Sequence, residues 1–439
     1  MPEVSATEVP MVIETREELI FMLSEAAALE HMVMCGYLFA SFTLKNSPDE
    51  GLSASQSEAV RRWDRVVCGV AVQEMLHLAL VNNLLTSIGA APYLGRPNFP
   101  HPTRYFAPGV QLALLPFGER ALRHFLYLER PESFELEDAP GFDVRSAAVP
   151  NMVGEEVVPE AQSFSTIGDL YRGIENGFGH MAQKVGERRL FIGSARSQAT
   201  REYFGWPELV RVTDLATSRR AIETIITEGE GARGHWKTAH FGKFYQVLNE
   251  YLELKGRDPA FEPARPAIPA CVSQSGEMRK GMVRITDPFT AGVADLFGAG
   301  YEVALQLLGR FFMHTETTGS ELQALSDSAV KTMDAVLGPL GRQLTALPIG
   351  GRHRGQTAGP SFEMYRREYL LPHRHAAWVL LHERLTDLGR YCRELSGRAP
   401  AGLDLGAVQA SLEEISAALE PHASAGLKAA NGEAGLGPD

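Results

Sequence analysis

The sequence predicts a mainly α protein: a four-helix bundle with a long crossover, followed by an additional helical C-terminal region. Three observations predict it. Long stretches repeat apolar residues at steps of three and four, the spacing of one helix face. A segment rich in acidic residues, proline and glycine separates the second such stretch from the third, as in bundles with a crossover connection. Beyond a proline-rich stretch, helical spacing resumes over four more segments.

Taken in order, residues 15–45 form the first long helix, broken by Pro48 and the polar run 46–57. The second covers 56–88 and stops at Gly89. Val110 to Leu115 alternates as a short strand, and Glu119 to Leu128 returns to helical spacing. Residues 129–163 are the crossover, and Ser165 to Asp169 opens the third helix with a capping residue. Leu209 to Val212 reads as a second strand, paired with the first. The fourth helix starts near Ala216 and continues, interrupted, to Glu253. This divides the chain into a bundle (1–257), a Pro-rich linker (258–287), a helical region (288–420) and a disordered tail (421–439). The basic, glycine-rich stretch 350–360 reads as a mobile or substrate-near loop.

Chemistry enters where polar groups interrupt the apolar stripes. Glu74-Met-Leu-His77 lies on the stripe Val67, Val70, Glu74, His77, Val81, Leu84. A bare charge in a core is expensive unless it is paired or bound to metal. Glu30 lies on the stripe Leu23, Ala27, Glu30, Met34, Tyr37, and Glu175 on Tyr171, Glu175, Phe178, Ala182, Val185. The fourth helical region carries Glu228, Glu230, His235 and His240 among Ile222, Ile226, Trp236, Phe241 and Phe244. Lone Glu, Glu-x-x-His, lone Glu and then Glu with His is the ligand inventory of the carboxylate-bridged di-metal bundles. Mixed oxygen and imidazole donors suit iron or manganese.

The last pair has unusual spacing. Ten residues of continuous helix rise ~15 Å, too far for Glu230 and His240 to share a metal. Gly231 and Gly234 each weaken a helix by roughly 1 kcal/mol, so the helix is expected to loop out here and resume near His235. His235 competes with His240 for the ligand position, and Glu228 with Glu230. His31 points about 100° from Glu30 and reads as a flanking residue. Gln73 and Asn82 are the candidates to hold the imidazoles in place.

Composition narrows the partners. A formal net charge of −12 disfavours nucleic acid or an anionic membrane. No run reaches about 18 uninterrupted apolar residues, so no membrane span is expected. Four dispersed cysteines without a C-x-x-C pair fit reduced thiols, and the start lacks a signal-peptide pattern. The expected location is cytoplasmic.

The stretches Ala28-Leu-Glu-His31 with Tyr37, Gln73-Glu-Met-Leu-His-Leu78, Thr227-Glu-Gly-Glu-Gly231 and His240-Phe241 resemble the ferritin-like domain of the iminophenyl-pyruvate dimer synthase family. Ile285 to Pro288 and Tyr301 to Thr317 resemble the helical extension of its shorter, stand-alone relatives. The resemblance implies a ferritin-like four-helix bundle, Glu230 in preference to Glu228, and metal ligands Glu30, Glu74, His77, Glu175, Glu230 and His240. It also implies a cofactor of two Fe, with Mn as the substitute. The function then expected is a di-metal oxidoreductase of secondary metabolism. Its substrate would be a small organic molecule, amino-acid-derived and aromatic, with O2 as the candidate oxidant. The contrasting expectation is a metal-binding or structural protein without catalysis.

Overall fold

The computed structural model describes residues 11–102, 110–132, 134–142, 162, 164–229, 231, 236–272, 282–313, 318–365 and 370–433. Helix α1 (Arg16–Thr43) and α2 (Ala54–Ser87) pack as a helical hairpin. Each begins with a capping box, Thr15 with Glu18 and Ser53 with Gln56, which satisfies N–H groups the helix leaves open. The short α3 (Glu119–Leu128) follows, then α4 (Ile167–Val185). Two single turns, α5 (Glu187–Leu190) and α6 (Arg201–Phe204), lead to α7 (Leu215–Gly229) and α8 (His240–Arg257). Helix α4 packs on α1 and α7, α7 on α2, and α8 on α2 and α3. Those contacts enclose one interior between α1, α2, α4, α7 and the start of α8.

By length and composition α1 and α2 could each cross a membrane, contrary to the expectation from uninterrupted runs. Both are mostly buried within the fold, which accounts for their apolar character as well.

Beyond the bundle come α9 (Pro288–Phe312), α10 (Gly319–Lys331), α11 (Gly338–Leu344), α12 (Arg374–Ser396) and α13 (Gly406–Glu433). A π-helical turn, Thr332–Leu337, joins α10 to α11 just before Pro339, a residue with no N–H for the regular ladder. These helices share the bundle's hydrophobic core. Phe42 of α1 sits 6.4 Å from the rings of Phe297 and Phe362. A Cβ on Gly341 would strike the Phe42 ring at 2.4 Å, so α11 approaches α1 as closely as only glycine permits.

Several sequence expectations are corrected. The segment expected as a linker contains an ordered strand, β3 (Ala267–Cys271), parallel to both β4 (Val283–Arg284) and β5 (Thr357–Gly359). Pro266 and Pro269 misled the reading, because proline is compatible with short strands of this kind. Buried Arg265 fixes the segment through Glu50. Strand β5 also takes up part of the expected mobile loop. The first strand pair is β1 (His101–Pro102) with β2 (Gln111–Leu112). Leu209 to Val212 is not its partner: the amides of Gln198 and Asn83 take the backbone groups of Val212 and Val210 instead. The expected tail is helical up to Glu433, running through Pro421, because His422 stacks on Trp378 at 4.3 Å and Ala423 is buried.

Candidate metal centre

Glu30, Glu74 and His77 project from the middles of α1 and α2, where continuous helix fixes their directions. All three are buried, and each offers a ligand atom within 4.8 Å of the others. His77 Nδ1 lies 2.9 Å from Glu74 Oε2 and 3.7 Å from Glu30 Oε2. The far side of the ring, Nε2, meets Glu228 Oε2 at 3.0 Å. Tyr171 of α4 donates its phenolic O–H to Glu30 Oε1.

A second group is built on Glu74, Glu129 and His240, again within 4.8 Å of one another. His240 Nδ1 is 2.8 Å from Glu74 Oε1 and 3.5 Å from Glu129 Oε2. Tyr37 donates its O–H to Glu129 Oε1. The imidazoles of His77 and His240 face each other, 5.5 Å apart and 25° from parallel. The two groups therefore adjoin and share Glu74.

His240 reaches this place because the helix breaks. Helix α7 ends at Gly229, a single turn of 3-10 helix runs from Trp236 to Thr238, and α8 starts with His240 itself. The chain thus resumes five residues later than the glycines suggested. Gly242 makes the return possible, since a Cβ there would lie 2.4 Å from backbone atoms of Trp236 and Lys237.

Of the sequence-predicted ligands, Glu30, Glu74, His77 and His240 meet at one point. Glu175 does not: its half-exposed side chain turns to Arg219 at 3.7 Å. The buried stripe of α4 runs Leu170, Tyr171, Ile174, Gly177, Phe178, Met181, one position off the line through Glu175. Tyr171 faces Glu30 where Glu175 was expected, and the buried carboxylate of Glu129 stands beside His240. Glu230 and His235 lie outside the described residues. Glu228, the competitor of Glu230, stands against His77. Glu129 was legible by the same rule as Glu30, because it continues the stripe Leu122, Phe125 at a step of four.

Neither Gln73 nor Asn82 holds an imidazole. Gln73 Oε1 accepts from Lys243 Nζ, and the Asn82 amide donates to backbone carbonyls of Leu78 and Tyr93. His31, as expected, points away from the centre. It is fully buried, bound to Leu94 O and to the Tyr301 hydroxyl, which also receives Arg96.

The electrostatics describe crowded charge in a dry place. Burial and the neighbouring charge of Glu74 push Glu30 up to about 8. Burial works against charge on Glu74 too, yet the two imidazoles outweigh it and hold Glu74 below the usual carboxylate range. Burial likewise opposes protonation of His240, but Glu74 and Glu129 raise it to about 9. His77 is raised in the same manner, by Glu74, Glu228 and Glu30. Both phenols are raised, by burial and then by the carboxylates they face. Protons sit where positive charge is required.

The residues fit a pair of metal ions. His240 Nε2, His240 Nδ1 and Glu74 Oε1 are buried with no hydrogen-bond partner, although Nδ1 and Oε1 are 2.8 Å apart. Ligand atoms this close with no hydrogen bond in line are what a cation between them would satisfy once His240 gives up its proton. Four carboxylates (Glu30, Glu74, Glu129, Glu228) with two neutral imidazoles balance two dications.

The ferritin-like family model matches residues 23–249, which is more than half of the chain. The chain belongs to the ferritin-like family. Glu30, Glu74, His77, Glu129, Glu228 and His240 all lie inside the matched span. Dichlorochromopyrrolate synthase of Lentzea aerocolonigenes is 26% identical over 91% of this chain and 41% of its own length. The 2-imino-3-(indol-3-yl)propanoate dimerase of Chromobacterium violaceum is 26% identical over 80% of this chain and 34% of its own. Both are relatives of the type the motif resemblance named. The chain spans well under half the length of either. A crystal structure of a ferritin-like protein from Caulobacter vibrioides matches 73% of this chain and 95% of its own, at 16% identity and TM-score 0.45.

Proposed function

We propose that this ferritin-like chain binds two metal ions, iron or manganese, and uses them to oxidise a small organic molecule in secondary metabolism. The observation that carries the reading is the pair of adjoining three-ligand groups sharing Glu74. Glu30 and His77 would hold one ion, His240 and Glu129 the other, with Glu74 shared between them, while Glu228 holds the far nitrogen of His77. Such a pair, when bound, supplies two electrons to an oxidant such as O2. Tyr171 and Tyr37 fix the second oxygens of Glu30 and Glu129, so each carboxylate presents the other oxygen inward. The two relatives, a dichlorochromopyrrolate synthase and a 2-imino-3-(indol-3-yl)propanoate dimerase, support an amino-acid-derived aromatic substrate.

Metal analysis after anaerobic purification tests the reading, together with O2 uptake on adding candidate aromatic amino acids. About two iron atoms per chain with substrate-dependent uptake supports it. Many atoms per chain would indicate storage, and none a scaffold. The sequence expectation of a non-catalytic protein would then take its place.

A further inference from the structure

Among the described residues, one cation beside the centre forms no ion pair with a carboxylate. Lys243 follows His240 by one turn of α8, on the same side of the helix. Its ammonium is half-buried, and its hydrogen bond goes to a neutral acceptor, Gln73 Oε1, at 2.5 Å. No Asp or Glu oxygen among the described residues comes within ion-pair distance of it. Two other cations in partly buried places pair with carboxylates, Arg265 with Glu50 and Arg374 with Glu321. Burial draws the Lys243 ammonium below its ordinary range, while Glu228, Glu74 and Glu129 pull it the other way.

The charge count explains why this matters. Two dications, when bound, would neutralise the four carboxylates of the centre and leave Lys243 as a net positive charge. Gln73, Lys243 and Glu228 are all partly exposed, whereas Glu74, His77 and His240 beneath them are not. The three therefore form the outer layer of the centre, on the side where α2, α7 and α8 meet. A lysine serving only to pin α8 to Gln73 would gain nothing from carrying charge into a partly dry site. An ammonium with donors to spare suits an anionic oxygen brought by a ligand.

We infer that Lys243 is a specificity residue that receives the carboxylate of the substrate at the outer layer of the metal centre. This rests on the function proposed above and adds the group that selects an acid over its neutral analogue. Gln73 then orients the ammonium, and the substrate's carbon skeleton lies between Lys243 and the ions.

The test compares 3-phenylpropanoate with 3-phenylpropanamide by calorimetry, on the as-isolated protein and on Lys243→Gln and Lys243→Arg. The wild type is expected to favour the acid by about tenfold or more, as for a charged hydrogen bond. Lys243→Gln should lose that preference and keep both its affinity for the amide and its metal content. Lys243→Arg should keep most of the preference. Equal affinity of the wild type for the two compounds, binding of neither, or a preference that survives in Lys243→Gln would each overturn the inference. Metal content is read in the same samples, so a protein without metal refutes the di-metal reading separately, whatever the acid-to-amide ratio shows.

Discussion

The two sides of the centre are built differently. Glu30, Glu74 and His77 stand in the middle of long, unbroken helices, each with a turn or more of packed core on either side. His240 and Glu129 stand at helix ends: the first residue of α8 and the residue just after α3. Interior positions inherit their direction from the helix ladder. End positions depend on the loops that bring them in. The first side should therefore tolerate local damage and the second should not, although both share Glu74.

Removing the shared residue is the largest perturbation. Glu74→Ala is expected to take the metal content from about two ions per chain to near zero, since Glu74 is the carboxylate common to both groups. Far-UV circular dichroism should stay helical, because α2 keeps its cap and its apolar stripe. Retention of both ions, measured by inductively coupled plasma mass spectrometry, would remove Glu74 from the centre.

Protons compete with metal on both sides. Glu30, raised to about 8, and His240, raised to about 9, both hold protons at neutral pH in the metal-free protein. Each must lose its proton to bind a cation. Apparent metal affinity should therefore rise from pH 6 to pH 9, approaching tenfold per pH unit for each proton displaced. The stability sign follows from the same shifts. Groups raised above their unfolded values favour the fold below those values, and the contribution is lost as pH rises through about 8 and about 9. The metal-free protein should melt at progressively lower temperature over that range, and the loaded protein should show a flatter profile. A metal affinity indifferent to pH would mean that neither group is displaced from a proton.

Two glycines separate the sides more sharply. Gly242→Ala places a methyl 2.4 Å from the backbone of Trp236 and Lys237, at the turn that delivers His240. It should destabilise by about 1–3 kcal/mol and lose the ion held by His240 and Glu129, leaving the other. Gly69→Ala, in the interior of α2 with nothing within 4 Å of the added carbon, should be neutral or stabilise by up to about 1 kcal/mol. Thermal melts of the two variants, with metal counts, check the contrast. Equal effects would mean that the break has no special role.

The same division governs what the sequence disclosed. The candidate ligands on α1 and α2 were readable because a polar residue on a long apolar stripe has one direction available. On α7, two adjacent stripes are both apolar: Ile222 and Ile226 lead to Glu230, while Ala221 and Ile225 lead to Glu228. Periodicity alone does not choose between lines one residue apart, and the structure describes Glu228. On α4 the difference is a single position, Glu175 lying beside the buried line through Ile174. Glu129 was overlooked because it stands where α3 gives way to the crossover, although its stripe pointed to it. The bundle, the interrupted fourth helix and the added C-terminal helices were legible from helical spacing. Strand β3 and the helix through Pro421 were not, since proline usually ends such elements and only tertiary packing overrides it.

The two tyrosines give the smallest and most local probe of the comparison. Tyr171 supports Glu30 from the middle of α4, and Tyr37 supports Glu129 from the middle of α1. Each phenol is fully buried, so its replacement by phenylalanine removes one hydrogen bond and little volume. Loss of such support typically weakens metal binding by about 10–100-fold. Glu30 keeps its place on an unbroken helix when Tyr171 is changed, so Tyr171→Phe should fall at the low end. Glu129 sits past the end of α3 and depends more on Tyr37, so Tyr37→Phe should fall at the high end. It should also weaken only the ion beside His240. Competitive titration with a metal-binding dye, resolved into two affinities, measures both. If Tyr171→Phe proves the more damaging, position within a helix does not decide how firmly a ligand is held, and the contrast between the two sides fails.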